Sequence, residues 1–188
     1  EKQVLEFLEK CLGSKISEDF TEFYNQIKNS MDNKKFKETK DTLVEFISSN
    51  PQDITAICFY LECLLELKQF EEVTSFIESL EEAMQDKDEI KQILKKLDII
   101  KSNVDSPGIE DLLKKLANKP DDINVVIDVA EKYFSLKEYD SCMELLLKNY
   151  KKDKNRVKKK MVEFFEILGN SDKNTVIYRK KLSQLLFS

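Results

Sequence analysis

Pro120 to Tyr150 reads PDDINVVIDVAEKYFSLKEYDSCMELLLKNY, and the reading of this stretch as one helix, a tight turn and a second helix decides the fold. An earlier copy runs from Pro51 to Leu80. Aligned on their prolines, 69 residues apart, the copies share Pro51/Pro120, Asp53/Asp122, Ile54/Ile123, Leu67/Leu136 and Lys68/Lys137. Both then place an aromatic at the same point, Phe70 and Tyr139, and a third aromatic turn, Asn33-Lys34-Lys35-Phe36, puts Phe36 34 residues before Phe70.

A spacing of 34 is the period of the tetratricopeptide helical hairpin, and Phe70 to Tyr139 is close to twice that period. The expected fold is therefore all-α: tetratricopeptide-like hairpins stacked in a right-handed solenoid of about eleven helices. One hairpin cannot bury both of its apolar faces, so neighbours must close the core. The residues after each turn aromatic, Lys37-Glu38, Glu71-Glu72 and Asp140-Ser141, supply an acid or hydroxyl suited to a helix N-terminus. The aromatic itself is expected to pack back as a staple.

Composition agrees. With 3 Gly and 3 Pro among 188 residues and 36% charged side chains, there is little punctuation for a sheet with frequent turns. The net charge of -5 hides an asymmetry: from Lys148 onward there are 12 basic and 4 acidic residues, against 19 and 32 before it. Such a distribution marks a nucleic-acid surface, an orienting surface for an acidic partner, or a solvated helix face. No stretch of about 18 apolar residues and no signal-peptide pattern is present, which points to an intracellular protein. The chain opens on Glu1 rather than Met, as a fragment or processed product would.

Outward from the deciding stretch, Val4, Leu5, Leu8 and Leu12 fall at helical spacing and Gly13-Ser14 ends that run. Helices are expected over Ser17–Met31, Lys35–Ser49, Asp53–Leu67, Phe70–Met84 and Asp88–Lys101. Ser102–Gly108, which holds Ser106-Pro107-Gly108, is the expected linker. Beyond it come a short helix over Ile109–Asn118, the deciding hairpin, and Lys154–Leu168 closed by Gly169. Ser171 or Asp172 opens the last helix, where Tyr178, Leu182 and Leu185 sit at i, i+4 and i+7 with Leu186 and Phe187 beside them. That helix either caps the array or lays its apolar face in a partner's groove, with Arg179, Lys180 and Lys181 at the rim.

Candidate chemistry is sparse. Without histidine there is no His-based triad or zinc site, and no Gly-rich phosphate loop occurs, so no catalytic residue, metal or cofactor site is expected. Cys11, Cys58, Cys63 and Cys142 contain no C-x-x-C pair; Cys58 and Cys63 are five apart, about 140° around a helix. Each reads as a small buried apolar residue. Lys151, Lys152, Lys154, Arg156, Lys158, Lys159 and Lys160, with Tyr150 adjacent, could neutralise phosphates. Yet the run has no repeated aromatic stacking positions, and lysine outnumbers arginine 29 to 2, which disfavours base readout.

From Pro107 onward the sequence resembles the C-terminal tetratricopeptide region of the YbbN-type thioredoxin-like proteins, or chaperedoxins. The resemblance rests on Leu116 to Asp122, on Lys137-Glu138-Tyr139-Asp140, on Phe164-Phe165-Glu166-Ile167-Leu168-Gly169, and on the terminal run from Tyr178 to Phe187. Lys158 stands where the family tends to have arginine. On this likeness 1–14 is the closing helix and linker of an absent thioredoxin-like domain, 15–103 an N-terminal set of hairpins, and 104–188 a C-terminal domain with a docking helix. The resemblance implies a bacterial cytoplasmic co-chaperone, a holdase for unfolded clients that passes them to a GroEL-type chaperonin and the DnaK system. In some members it implies protection of cysteines through mixed disulfides, which would belong to the absent domain. It carries chaperonin docking onto Tyr178, Arg179, Leu182, Leu185, Leu186 and Phe187. Two other readings stay open: a scaffold for another protein or peptide partner, and the substrate-positioning part of a thiol-disulfide oxidoreductase.

Overall fold

The computed structural model describes residues 20–186, so the expected helix over the first twelve residues, Cys11 and Phe187 lie outside the described residues. Among the described residues the chain is all-α, with eleven helices and no strand. They are α1 (20–32), α2 (Phe36–Ser49), α3 (Ile54–Glu66), α4 (Phe70–Ser79), α5 (Glu82–Gln85), α6 (Asp88–Val104), α7 (Ile109–Asn118), α8 (Ile123–Ser135), α9 (Tyr139–Lys148), α10 (Lys154–Leu168) and α11 (Lys173–Leu186). By packing the chain divides into two compact units, one ending at Met84 and one beginning at Gln85.

Three hairpins turn in the same way. Lys34, Lys68 and Lys137, each two residues before a turn aromatic, hold left-handed φ angles of 60°, 58° and 61°. At each site the lysine N–H donates three residues back, to Met31, Leu65 or Phe134, and the next N–H five residues back, to Ser30, Leu64 or Tyr133. These bonds satisfy carbonyls that the ending helix leaves open and reverse the chain with one residue to spare before the next helix. A left-handed backbone costs a lysine about 1–2 kcal/mol, so the conformation is imposed by the helices it joins.

The short turn changes the expected role of the residues around it. The aromatics Phe36, Phe70 and Tyr139 are the first helical residues, and the cap positions Lys35, Gln69 and Glu138 make no side-chain capping bond. Glu38, Glu71, Glu72 and Asp140 therefore serve by charge, facing the positive end of the helix dipole in its first turn. Packing back does occur: the Tyr139 ring lies 5.1 Å from that of Phe134.

Where one hairpin gives way to the next, aspartate closes the loop. Asp53, Asp122 and Asp153 accept from the backbone N–H of Ala56, Asn124 and Arg156, each at 3.0 Å. Asp172, one of the two residues expected there, accepts from Asn174 at 2.8 Å and Thr175 at 3.1 Å. The amide of Asn124 is the main reason that the Asp122 carboxyl sits below its ordinary range.

Two expected elements differ. Phe70–Met84 is not one helix: α4 stops at Ser79, Leu80 is extended (φ -72°, ψ 155°) and α5 is a separate turn. The Ser79 hydroxyl donates to the Phe76 carbonyl at 2.6 Å, the local bonding by which serine competes with a continuing helix. The helix expected to end at Lys101 instead runs to Val104, leaving Asp105 to Gly108 as the connection. That connection is tied down: Lys132 Nζ donates to the Asn103 carbonyl and the Ser106 hydroxyl, both at 3.0 Å.

In the first unit Ile27, Leu43, Ala56 and Cys63 form a core walled by aromatics, with the Phe23 and Phe46 rings stacked at 4.2 Å. The second unit gathers Ile99 of α6 with Val126, Ala130, Phe134, Cys142, Met143, Leu146, Met161, Phe164 and Phe165 into one core. There Phe134 stacks on Phe164 at 4.2 Å. The packing division falls ahead of α6, whereas the Pro-Gly punctuation of the sequence falls behind it.

Candidate interaction surface

The terminal helix is anchored before it is available. Tyr178 and Leu182 project into the second core and are 3% and 5% exposed, and Leu185 packs partly against it. The Tyr178 hydroxyl donates to Asp140 at 3.0 Å and Glu144 at 3.1 Å, so burial and two carboxylates together push its pKa up. Lys181 pairs with the same Glu144, and its ammonium lies 4.5 Å from the Tyr178 ring centre. The bond from Lys181 is the main cause that holds the Glu144 carboxyl below its ordinary range.

The six residues to which the family resemblance assigned docking therefore separate. Tyr178, Leu182 and Leu185 hold α11 on the molecule, as a capping helix would. Arg179 is exposed, with its guanidinium 5.6 Å from the Phe165 ring centre. Leu186 is exposed, and Phe187 lies beyond the described residues. The helix offers two side chains that the sequence reading passed over, Val176 and Ile177, 58% and 48% exposed. They stand off the 178/182/185 stripe, and apolar residues outside a buried stripe were the signal that could have found them.

The basic run on α10 divides as well. Lys152 pairs with Asp121 at 2.9 Å, Arg156 donates to Asn124 Oδ1 at 2.8 Å, and Lys160 reaches Glu131 at 2.7 Å and Glu163 at 2.9 Å. Burial presses the Lys160 pKa down, but bonds from the two carboxylates outweigh it and leave the pKa raised. Tyr150, the aromatic adjacent to the run, is buried at 4% exposure and belongs to the core.

Two of the three described cysteines, Cys63 and Cys142, are not poised for chemistry, while Cys58, expected to be buried like them, is only part-buried. Cys63 is buried, and burial first, then Glu62 and Glu66, pushes its thiol up to about 12. Cys142 is buried and its thiol is likewise pushed up, by burial and by Glu131. Neither is a thiolate at neutral pH, the form that attacks a disulfide.

A cleft of about 600 Å³ lies between α6 and the α10–α11 turn, with Phe165, Gly169, Asn170 and Arg179 on one side and Asp88, Gln92 and Lys95 on the other. Lys95 bonds Glu166 at 2.6 Å across its wall. Gly169, at φ 86° and ψ 161°, occupies a backbone region that side-chain-bearing residues avoid, and it lets the turn follow the cleft edge.

With helices, turns and surfaces placed, the class is that of an all-α helical-hairpin repeat protein. Residues 102–187, from the end of α6 onward, match the family model described as Tetratricopeptide repeat. Repeats of this kind generally bind other proteins. One similar solved structure is a domain of a protein of unknown function from Vibrio parahaemolyticus RIMD 2210633, at 21% identity and a TM-score of 0.41. The match covers 86% of this chain and 96% of that one. No curated protein matches the chain. Among the described residues no helix is long and apolar enough to cross a membrane.

Proposed function

We propose that this chain is the non-catalytic interaction module of a thioredoxin-like co-chaperone, which binds unfolded clients and docks a GroEL-type chaperonin through α11. The observation that carries the reading is the division of labour on that helix. Tyr178 and Leu182 fix it on the core, while Val176 and Ile177 remain exposed on its outer side. An anchored helix loses little conformational entropy on binding, and exposed apolar side chains supply the contact. The contact set is Val176, Ile177, Arg179 and Leu186, held in place by Tyr178, Leu182 and Leu185, together with Phe187, which the family resemblance adds. The family resemblance of the terminal run supplies the partner, and a DnaK-type system is a further recipient of clients. The redox step of such a co-chaperone falls to an upstream thioredoxin-like domain, and the compartment is the bacterial cytoplasm.

The test is capture of purified chaperonin by the chain and by a Val176→Asp, Ile177→Asp variant, alongside suppression of client aggregation. Both substituted positions are exposed, so helix content should be unchanged by circular dichroism. Capture lost in the variant supports the assignment; capture equal to that of the parent chain would sink it. The cleft beside Phe165 favours a second reading, a scaffold for another peptide partner. Peptide binding there without aggregation suppression would select that reading.

A further inference from the structure

Four of the basic residues on and before α10 enter no ion pair among the described residues. Lys152, Arg156 and Lys160 are taken up by Asp121, Asn124, Glu131 and Glu163. Lys151, Lys154, Lys158 and Lys159 are exposed, and none of them pairs with a carboxylate among the described residues. Lys158, Lys159, Val162, Glu163 and Glu166 stand 3, 4, 7, 8 and 11 positions after Asn155, so the six share a face of the helix, and together they line one shallow hollow. Val162 lies within it and is 39% exposed.

We propose that the outward face of α10 is a docking surface for an acidic segment of another polypeptide that carries an apolar side chain among its carboxylates. Lys154, Lys158 and Lys159 face the carboxylates, Val162 receives the apolar side chain, and Glu163 and Glu166 mark the end at which the acidic run must stop. From Lys154 to Val162 the helix rises about 12 Å, roughly the reach of four residues of extended chain. Charge complementarity carries the choice of partner: the four free lysines stand in the basic C-terminal part of a chain that is otherwise acidic.

A nucleic acid fits the face less well. Tyr150 is buried and cannot stack on a base, and Arg156 is already engaged by Asn124. A phosphate backbone would also leave Val162 without an apolar partner. This face lies on α10 and its test uses no residue of α11, so it stands or falls apart from chaperonin docking.

The experiment is fluorescence anisotropy with the full chain and three labelled probes: a glutamate-rich peptide with one central leucine, the same peptide with asparagine in its place, and a single-stranded oligonucleotide of matching charge. The leucine peptide is expected to bind tightest and to weaken as salt rises. Lys158→Glu with Lys159→Glu should weaken it about tenfold or more, two exposed attractions having become repulsions. Val162→Asn should erase the preference for leucine over asparagine while keeping the salt dependence. An affinity unmoved by the charge reversal, an oligonucleotide bound as tightly as the peptide, or a leucine preference that survives Val162→Asn would each overturn the proposal. All three substituted side chains are exposed, and circular dichroism checks that the helices remain.

Discussion

The α3–α4 and α8–α9 hairpins are built to one plan and filled differently. In both a 13-residue helix follows a capping aspartate, a left-handed lysine makes the turn, and a 10-residue helix begins on an aromatic. Inside, the paired positions diverge: Leu61 answers to Ala130, Leu65 to Phe134, and buried Cys63 to Lys132, which reaches out to the α6–α7 connection. Caps and turns are local and fix the backbone, whereas core residues answer to whatever neighbour they meet. The repeat is therefore conserved where it meets itself and variable where it meets the rest of the molecule.

That comparison can be broken most severely in the core. Phe134→Ala, which removes the ring stacked on Phe164, should cost about 3–5 kcal/mol, and Leu65→Ala about 2–5 kcal/mol, in urea unfolding followed by circular dichroism. If Phe134→Ala cost no more than a surface change, the shared core of the second unit would be wrong. Asp53→Ala should cost about 1 kcal/mol by the same measurement, and a larger loss would mean that Asp53 does more than cap α3.

Asp122 sharpens the comparison through pH. Its folded pKa lies below the ordinary 3.8, so its stabilisation is complete above that value and fades as pH falls through the lower folded one. Asp122→Asn should flatten the acid limb of the stability profile over that window, and an unchanged limb would remove the carboxylate from the account.

Lys132→Met should leave global stability nearly intact yet speed amide exchange over 105–108, since it releases the two bonds that tie the connection. The smallest effect belongs to Lys68→Gly. Relief of the left-handed backbone, about 1–2 kcal/mol, is offset by about 0.5–1 kcal/mol of glycine entropy. The variant should gain about 0–1.5 kcal/mol; a loss would mean that the Lys68 side chain contributes to the turn.

The hairpins were legible because their signals are local. Pro51/Pro120, Asp53/Asp122 and the Leu-Lys-x-aromatic turns state the repeat without any knowledge of what packs on it. The break at Leu80 was not legible, since a serine that bonds its own helix leaves no mark in hydrophobic spacing. Nor was the extension of α6 past Ser102, where Asn103 is buried and donates to the Ile99 carbonyl at 2.9 Å. On the surface, periodicity found the apolar stripe Tyr178, Leu182 and Leu185, but a stripe at helical spacing faces the core before it faces a partner. Val176 and Ile177 are visible only once that stripe has been assigned inward.

The most direct test of the account is the amide-exchange footprint of a purified GroEL-type chaperonin on the chain. Slowed exchange concentrated on 173–186, and absent in the Val176→Asp, Ile177→Asp variant, is the predicted result. Protection confined to other helices, or identical in the variant, would contradict the claim that α11 is held by its inner face and offered by its outer one.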